Sequence, residues 1–215
     1  MIQKMGRRWS RFWQKRNVEN SPLIAFGAVW TRYNETHRAY HGIDHIDFCL
    51  TEFDRVRSLA KNPDAIEIAI WFHDVIYDTR RNDNEMCSAK FAIIELLKLD
   101  KSPGLGEQVA ELIMATKHNF VLTDHDQQLI ADIDLSGFAQ PWKVVEADSR
   151  KIRREYDWVP ENEYVASRRK ILEWFLDREQ GIYYIPEFRT KYENAARENI
   201  AHELTRVREL ATLPK

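Results

Sequence analysis

The chain has 215 residues, 44% of them apolar and 31% charged, with a formal net charge of -2 at pH 7. This length suits one domain with a full core, and 7 glycines and 7 prolines leave little material for a turn-rich all-β fold, so an all-α fold is expected. The charge balance gives no electrostatic ground for a specific nucleic-acid partner or a membrane surface. No run is long and apolar enough to span a bilayer, and the first residues lack the apolar core of a signal peptide.

Residues 1–20 form a basic amphipathic segment, with Lys4, Arg7, Arg8, Arg11, Lys15 and Arg16 around Trp9, Phe12 and Trp13. It reads as a first helix whose aromatics dock on the rest of the chain while its charges face water; a membrane or nucleic-acid contact is the alternative. The single domain is expected over 21–215. Ser21-Pro22 supplies a capping hydroxyl and a proline for the first helical position. His41 and His45 are four apart, so a helix running to about Lys61 puts them on one face, with Arg38 a turn earlier. Asn62-Pro63 stops that helix, and the next is expected from about Pro63 to Asp78, with Asp74 and Asp78 sharing a face. Further helices follow from Glu85 to Leu99, Glu107 to His118 and Gln127 to Asp134, then at about 142–157, 161–178 and 186–210, with Pro160, Gly181 and Pro186 as punctuation. Cys49 and Cys87 stand apart without CxxC spacing and read as reduced thiols, which suggests the cytoplasm.

Two places carry chemistry out of keeping with their surroundings. In Ala69-Ile-Trp-Phe-His-Asp-Val-Ile-Tyr-Asp78 an imidazole and a carboxylate interrupt an apolar run, where burial of an unpaired charge is expensive. A divalent metal offsets that cost, because neutral imidazole and carboxylate are both good ligands; a His-Asp pair satisfied by its neighbours is the other reading. Asp132 and Asp134 repeat the anomaly in Ile130-Ala-Asp-Ile-Asp-Leu135.

A His, then a His-Asp doublet on a buried helix, then a distant Asp resembles the HD superfamily of metal-dependent phosphohydrolases, most closely a branch of short, stand-alone predicted hydrolases. The matching motifs are Arg38-Ala-Tyr-His-Gly-Ile-Asp-His45, Trp71-Phe-His-Asp-Val-Ile-Tyr-Asp78, Asn84-Glu-Met-Cys-Ser-Ala89, Ala115-Thr-Lys-His118, Asp132-Ile-Asp-Leu-Ser136 and Ile152-Arg-Arg-Glu-Tyr156. The resemblance implies an HD-like helical bundle with a metal site between its central helices. It further implies that one divalent ion (Mn, Mg, Co, Fe, Ni or Zn) would be held by His45, His73, Asp74 and Asp134, with Asp132 competing for the last place. Such an ion lowers the pKa of its water and polarises a phosphoryl group. Asp78 and Glu85 are the carboxylates considered for water activation. Arg38 and Lys117 are the cations considered for phosphate, and His118 is expected to line the pocket or donate to phosphate.

The expected activity is hydrolysis of a small phosphorylated metabolite, a nucleotide or nucleotide-like compound. Two other readings stand beside it: a di-iron oxygenase of the same fold, which requires His118, with His125, to bind a second metal, and a non-catalytic nucleotide- or metal-binding module.

Overall fold

The computed structural model describes residues 1–16, 18, 22–100, 102 and 104–212, so the Ser21 cap and Pro103 lie outside the described residues. Among the described residues there is helix and no strand: α1 (Ile2–Lys15), α2 (Pro22–Tyr33), α3 (Ile43–Val56), α4 (Pro63–Phe72), α5 (Asn84–Leu99), α6 (Leu105–Ala115), α7 (His125–Leu135), α8 (Trp142–Glu155), α9 (Glu161–Asp177) and α10 (Pro186–Thr212). They fall into two compact units, 1–130 and 131–215, and the division lies inside α7.

In the first unit α4 is the inner helix. Asn62 Oδ1 accepts the Ala65 N–H and Pro63 occupies the first turn, so the start of α4 is fixed by local chemistry. Every residue from Ala65 to Phe72 is buried, which is why its sequence shows an almost unbroken apolar run. α5 packs on α6, α6 on α4, and α3 on α4.

α1 docks by its aromatic face. Met5, Trp9, Phe12 and Trp13 are buried, the Trp9 ring meets Trp71 edge-on at 5.2 Å, and its Nε1–H donates to the Pro22 carbonyl at 2.7 Å. Burying an apolar side chain is worth about 1.5–3 kcal/mol, against about 0–1 kcal/mol for an exposed ion pair, so the rings dominate the docking. The charges do not all face water, however. Arg8 binds Asp54 and Glu67, while Arg16 binds Asp64 and Asp100.

Two expected helices are shorter than their patterns suggest. α3 begins at Ile43, so His41 and Arg38 precede it instead of sharing its face. Gly42 is extended at the N-cap, and a Cβ there would come within 3.2 Å of the Tyr33 carbonyl oxygen. α4 ends at Phe72, so Asp74 and Asp78 do not share a helix face. The chain beyond it bonds to side chains instead of to itself: Arg38 takes the Asp74 and Val75 carbonyls, Ser88 takes the N–H and carbonyl of Ile76, and Asn84 takes those of Asp78.

In the second unit α10 packs on α9, on α8 and on a 3-10 turn at Ser136–Ala139. Asn199 Nδ2 donates to the Phe138 and Gln140 carbonyls, both at 2.8 Å. Gly181 has φ +87°, and a Cβ there would meet the Glu193 carboxylate at 3.1 Å. That carboxylate accepts the Ile182 N–H, so glycine is required at this turn.

Candidate metal centre

His45, in the first turn of α3, and His73, just past the end of α4, face each other with Nε2 atoms 3.2 Å apart. Asp74 Oδ2 lies 3.3 Å from His73 Nε2 and 3.9 Å from His45 Nε2. Tetrahedral donors about 2.0–2.1 Å from one ion are separated by about 3.3–3.4 Å, so two of these edges match ligands of a single cation and the Asp74–His45 edge is longer. The two histidine side chains are 4% and 3% exposed, whereas Asp74 keeps 15%. The cluster therefore opens to solvent on its carboxylate side.

Proton positions favour the same use. His73 Nδ1 is 3.0 Å from the Ile70 carbonyl, which accepts only from an N–H. Neutral His73 therefore carries its proton on Nδ1 and presents the Nε2 lone pair to the cluster, the orientation a ligating imidazole needs. When the rings are protonated instead, burial works against ionised Asp74, but the charges of His73, His41 and His45 and a hydrogen bond from His73 outweigh it and hold the carboxyl well below its ordinary range. Two ring nitrogens and an ionised carboxylate make a donor set suited to a divalent transition metal.

The shell around the cluster is built from one loop. The Arg38 side chain is fully buried, and its guanidinium donates to Glu35, to the His41 carbonyl and to the carbonyls of Asp74 and Val75. Its expected role as a phosphate-neutralising cation is thus replaced by a bracing one: the donors are spent on the backbone that carries Asp74. His41 stacks on Tyr77 at 3.9 Å between ring centroids, and His37 Nε2 meets the Tyr77 carbonyl. Tyr33 lies beneath Arg38; burial, then the Asp74 charge, push its hydroxyl well above the ordinary value, so it remains a phenol.

The other named residues are placed as follows. Asp78 is exposed, and its Oδ1 accepts the Arg80 N–H, a turn-forming contact that replaces the helix-face position expected of it. Glu85 opens α5 and faces Lys117 at 3.9 Å, while Lys117 Nζ donates to the Asn82 carbonyl. His118, beyond the end of α6, is the one non-glycine residue among those described with positive φ, 55°. His125 is bound to the Leu59 carbonyl at 2.9 Å and begins α7 instead of sitting in a loop. Asp134 lies near the end of α7, in the second unit. Asp132, its competitor, is fully buried, and its carboxylate accepts the N–H groups of Tyr184 and Ile185 at 2.7–3.0 Å.

Sequence reasoning overlooked Cys49. It is buried one turn after His45, with Sγ 3.7 Å from His45 Nε2 and 3.9 Å from Nδ1. The i, i+4 spacing was the available signal. Tyr77, whose ring covers His41, gave no signal beyond its place in the central stretch.

No protein-family model, curated protein or solved structure matches this chain.

Proposed function

We propose that this chain is a metal-dependent phosphohydrolase acting on a small phosphorylated metabolite, a nucleotide or nucleotide-like compound. The observation that supports it most directly is the buried convergence of His45, His73 and Asp74, with donor atoms 3.2–3.9 Å apart and one side open. These three residues would hold one divalent ion, and the place of Asp134 as a further ligand rests on the sequence resemblance. When bound, the ion would supply charge stabilisation at the phosphoryl group and water activation near neutral pH.

The chain's own groups divide the remaining work. Arg38 keeps the Asp74–Val75 backbone fixed, so the carboxylate cannot swing away when substrate enters. Of the two carboxylates considered for proton transfer, Glu85 is favoured: Asp78 is occupied in its turn, whereas among the described residues Glu85 has the loose approach of Lys117 alone. Lys117, 3.9 Å from Glu85, would serve as the cation for a substrate phosphate.

The test measures metal content and phosphate release from a panel of nucleotides and phosphate esters, with Asp74→Ala alongside. About one metal per chain, and phosphate release that Asp74→Ala abolishes, is the expected result. Two irons without phosphate release would replace this reading with the oxygenase one. Nucleotide binding without turnover would leave a binding module.

A further inference from the structure

The basic character of α1 is only partly accounted for by its ion pairs. Between α1, the end of α3 and the start of α4, all in the first unit, lies a cavity of about 340 Å³, lined in part by Arg8, Arg11, Lys15, Arg16, Arg57 and the ring of Phe12. Three carboxylates also line it, Asp54, Asp64 and Glu67, and each is already committed. Asp54 receives both terminal nitrogens of Arg8 at 2.6 and 2.8 Å. Asp64 receives Arg16 at 2.7 Å. Glu67 receives Arg8 at 2.9 Å and also Arg57.

Five cations line the concavity against these three carboxylates and Asp100, which also binds Arg16, so one positive charge is left in excess. Arg11 and Lys15, four residues apart on one face of α1, have no partner among the described residues and are exposed. Burial, then the neighbouring Arg8 charge, pull the Arg57 guanidinium below its ordinary range, while Asp54 and Asp64 work the other way. Cations gathered at this density are normally offset by an anion.

We infer that this cavity is a binding site for a compact phosphate-bearing anion, separate from the His45–His73–Asp74 cluster, with Arg11 and Lys15 as its principal charge contacts. Guanidinium groups suit phosphate through paired donors, and about 300 Å³ is the lower end of the volume of small-molecule sites. A soluble ligand is favoured over a lipid surface because the apolar face of α1 is already buried against Trp71 and Phe26, leaving no face to insert. The inference is independent of the proposed hydrolase activity.

Tripolyphosphate is the probe, with binding measured by titration calorimetry on the full chain. One saturable site is expected, with a higher Tm in the presence of the probe and affinity that falls as salt rises. The double substitution Arg11→Ala/Lys15→Ala removes exposed side chains with no partners among the described residues, and it should weaken binding about 10-fold or more. Lys90→Ala/Lys143→Ala, the same charge change elsewhere on exposed positions, should change it less than about 2-fold. Asp74→Ala should leave it intact. The inference is overturned if the wild-type chain shows no saturable binding, if both double variants weaken it equally, if the Arg11/Lys15 variant binds normally, or if Asp74→Ala abolishes it. Binding to phosphatidylserine vesicles without binding to tripolyphosphate would overturn it in favour of a lipid surface.

Discussion

Asp74 in the first unit and Asp132 in the second are both acids set in apolar sequence, and the protein handles them in opposite ways. Asp74 is surrounded by imidazoles, keeps a solvent-facing edge and is held ionised. Asp132 is wholly buried among backbone N–H groups; burial pushes its carboxyl up to about 7, against the N–H groups of Ile185 and Tyr184 and the charges of Arg178 and Arg189. The same residue type in the same kind of sequence is therefore a potential ligand in one unit and a structural clasp in the other. What separates them is the chemistry of the partners: ring nitrogens with available lone pairs can share a cation with a carboxylate, whereas N–H donors only consume its acceptor capacity.

Exchange of the two acids for alanine should break this symmetry most clearly. Asp74→Ala should lower metal affinity more than about 100-fold, beyond the loss typical when only a group supporting a ligand is removed, while the folded structure persists; metal analysis of the purified variant reads this directly. Asp132→Ala should leave metal content unchanged. It strands the N–H groups of Tyr184 and Ile185, at about 1–3 kcal/mol for each unsatisfied donor, so the loss should appear as a lower urea midpoint. A variant of Asp132 that lost metal and kept its stability would reverse the assignment of the two roles.

Arg38→Met sharpens the first half of the comparison. It keeps much of the buried side-chain volume but releases the carbonyls of His41, Asp74 and Val75. Metal affinity should fall about 10–100-fold, the range for groups that orient ligands. If Arg38 instead served phosphate alone, metal content would stay constant and only KM would rise.

Much of the fold was visible in the sequence because helical periodicity and punctuation are local. Asn62-Pro63 announced the start of α4, and the nearly unbroken apolar run of α4 announced its burial. Its end was not visible, since the groups that capture the backbone after Phe72 come from Arg38, Ser88 and Asn84, which meet it only through folding. The same long-range capture removed His41 from the helix and changed Arg38 from a ligand-facing cation into a brace. At the candidate site, the polar interruption of an apolar run was enough to single out His73 and Asp74. His45 joined them through a resemblance of motif order, and the structure brings its ring within 3.2 Å of His73. Cys49 was missed because the reading of isolated cysteines as reduced thiols passed over its i, i+4 spacing from His45.

The smallest expected effect is a pH dependence confined to Asp132. Its ordinary value is 3.8 and its folded value about 7, so between these limits the folded chain holds a proton that the unfolded chain has released. Stability must then fall as pH rises through that window; the contribution is full below about 3.8 and gone above about 7. From pH 6 to pH 8 the loss is about 1 kcal/mol. Asp132→Asn cannot ionise and still offers a carbonyl oxygen to one of the two N–H groups, so its urea midpoint should change less than that of the wild type over the same interval. Asp74 does not interfere, because a carboxyl held below its ordinary value loses its stabilising charge only at strongly acid pH. A wild-type midpoint as flat from pH 6 to pH 8 as that of the Asn variant would mean that Asp132 is already ionised in the folded protein. The clasp on Tyr184 and Ile185 would then be a charged one, and the two acids would differ only in their partners.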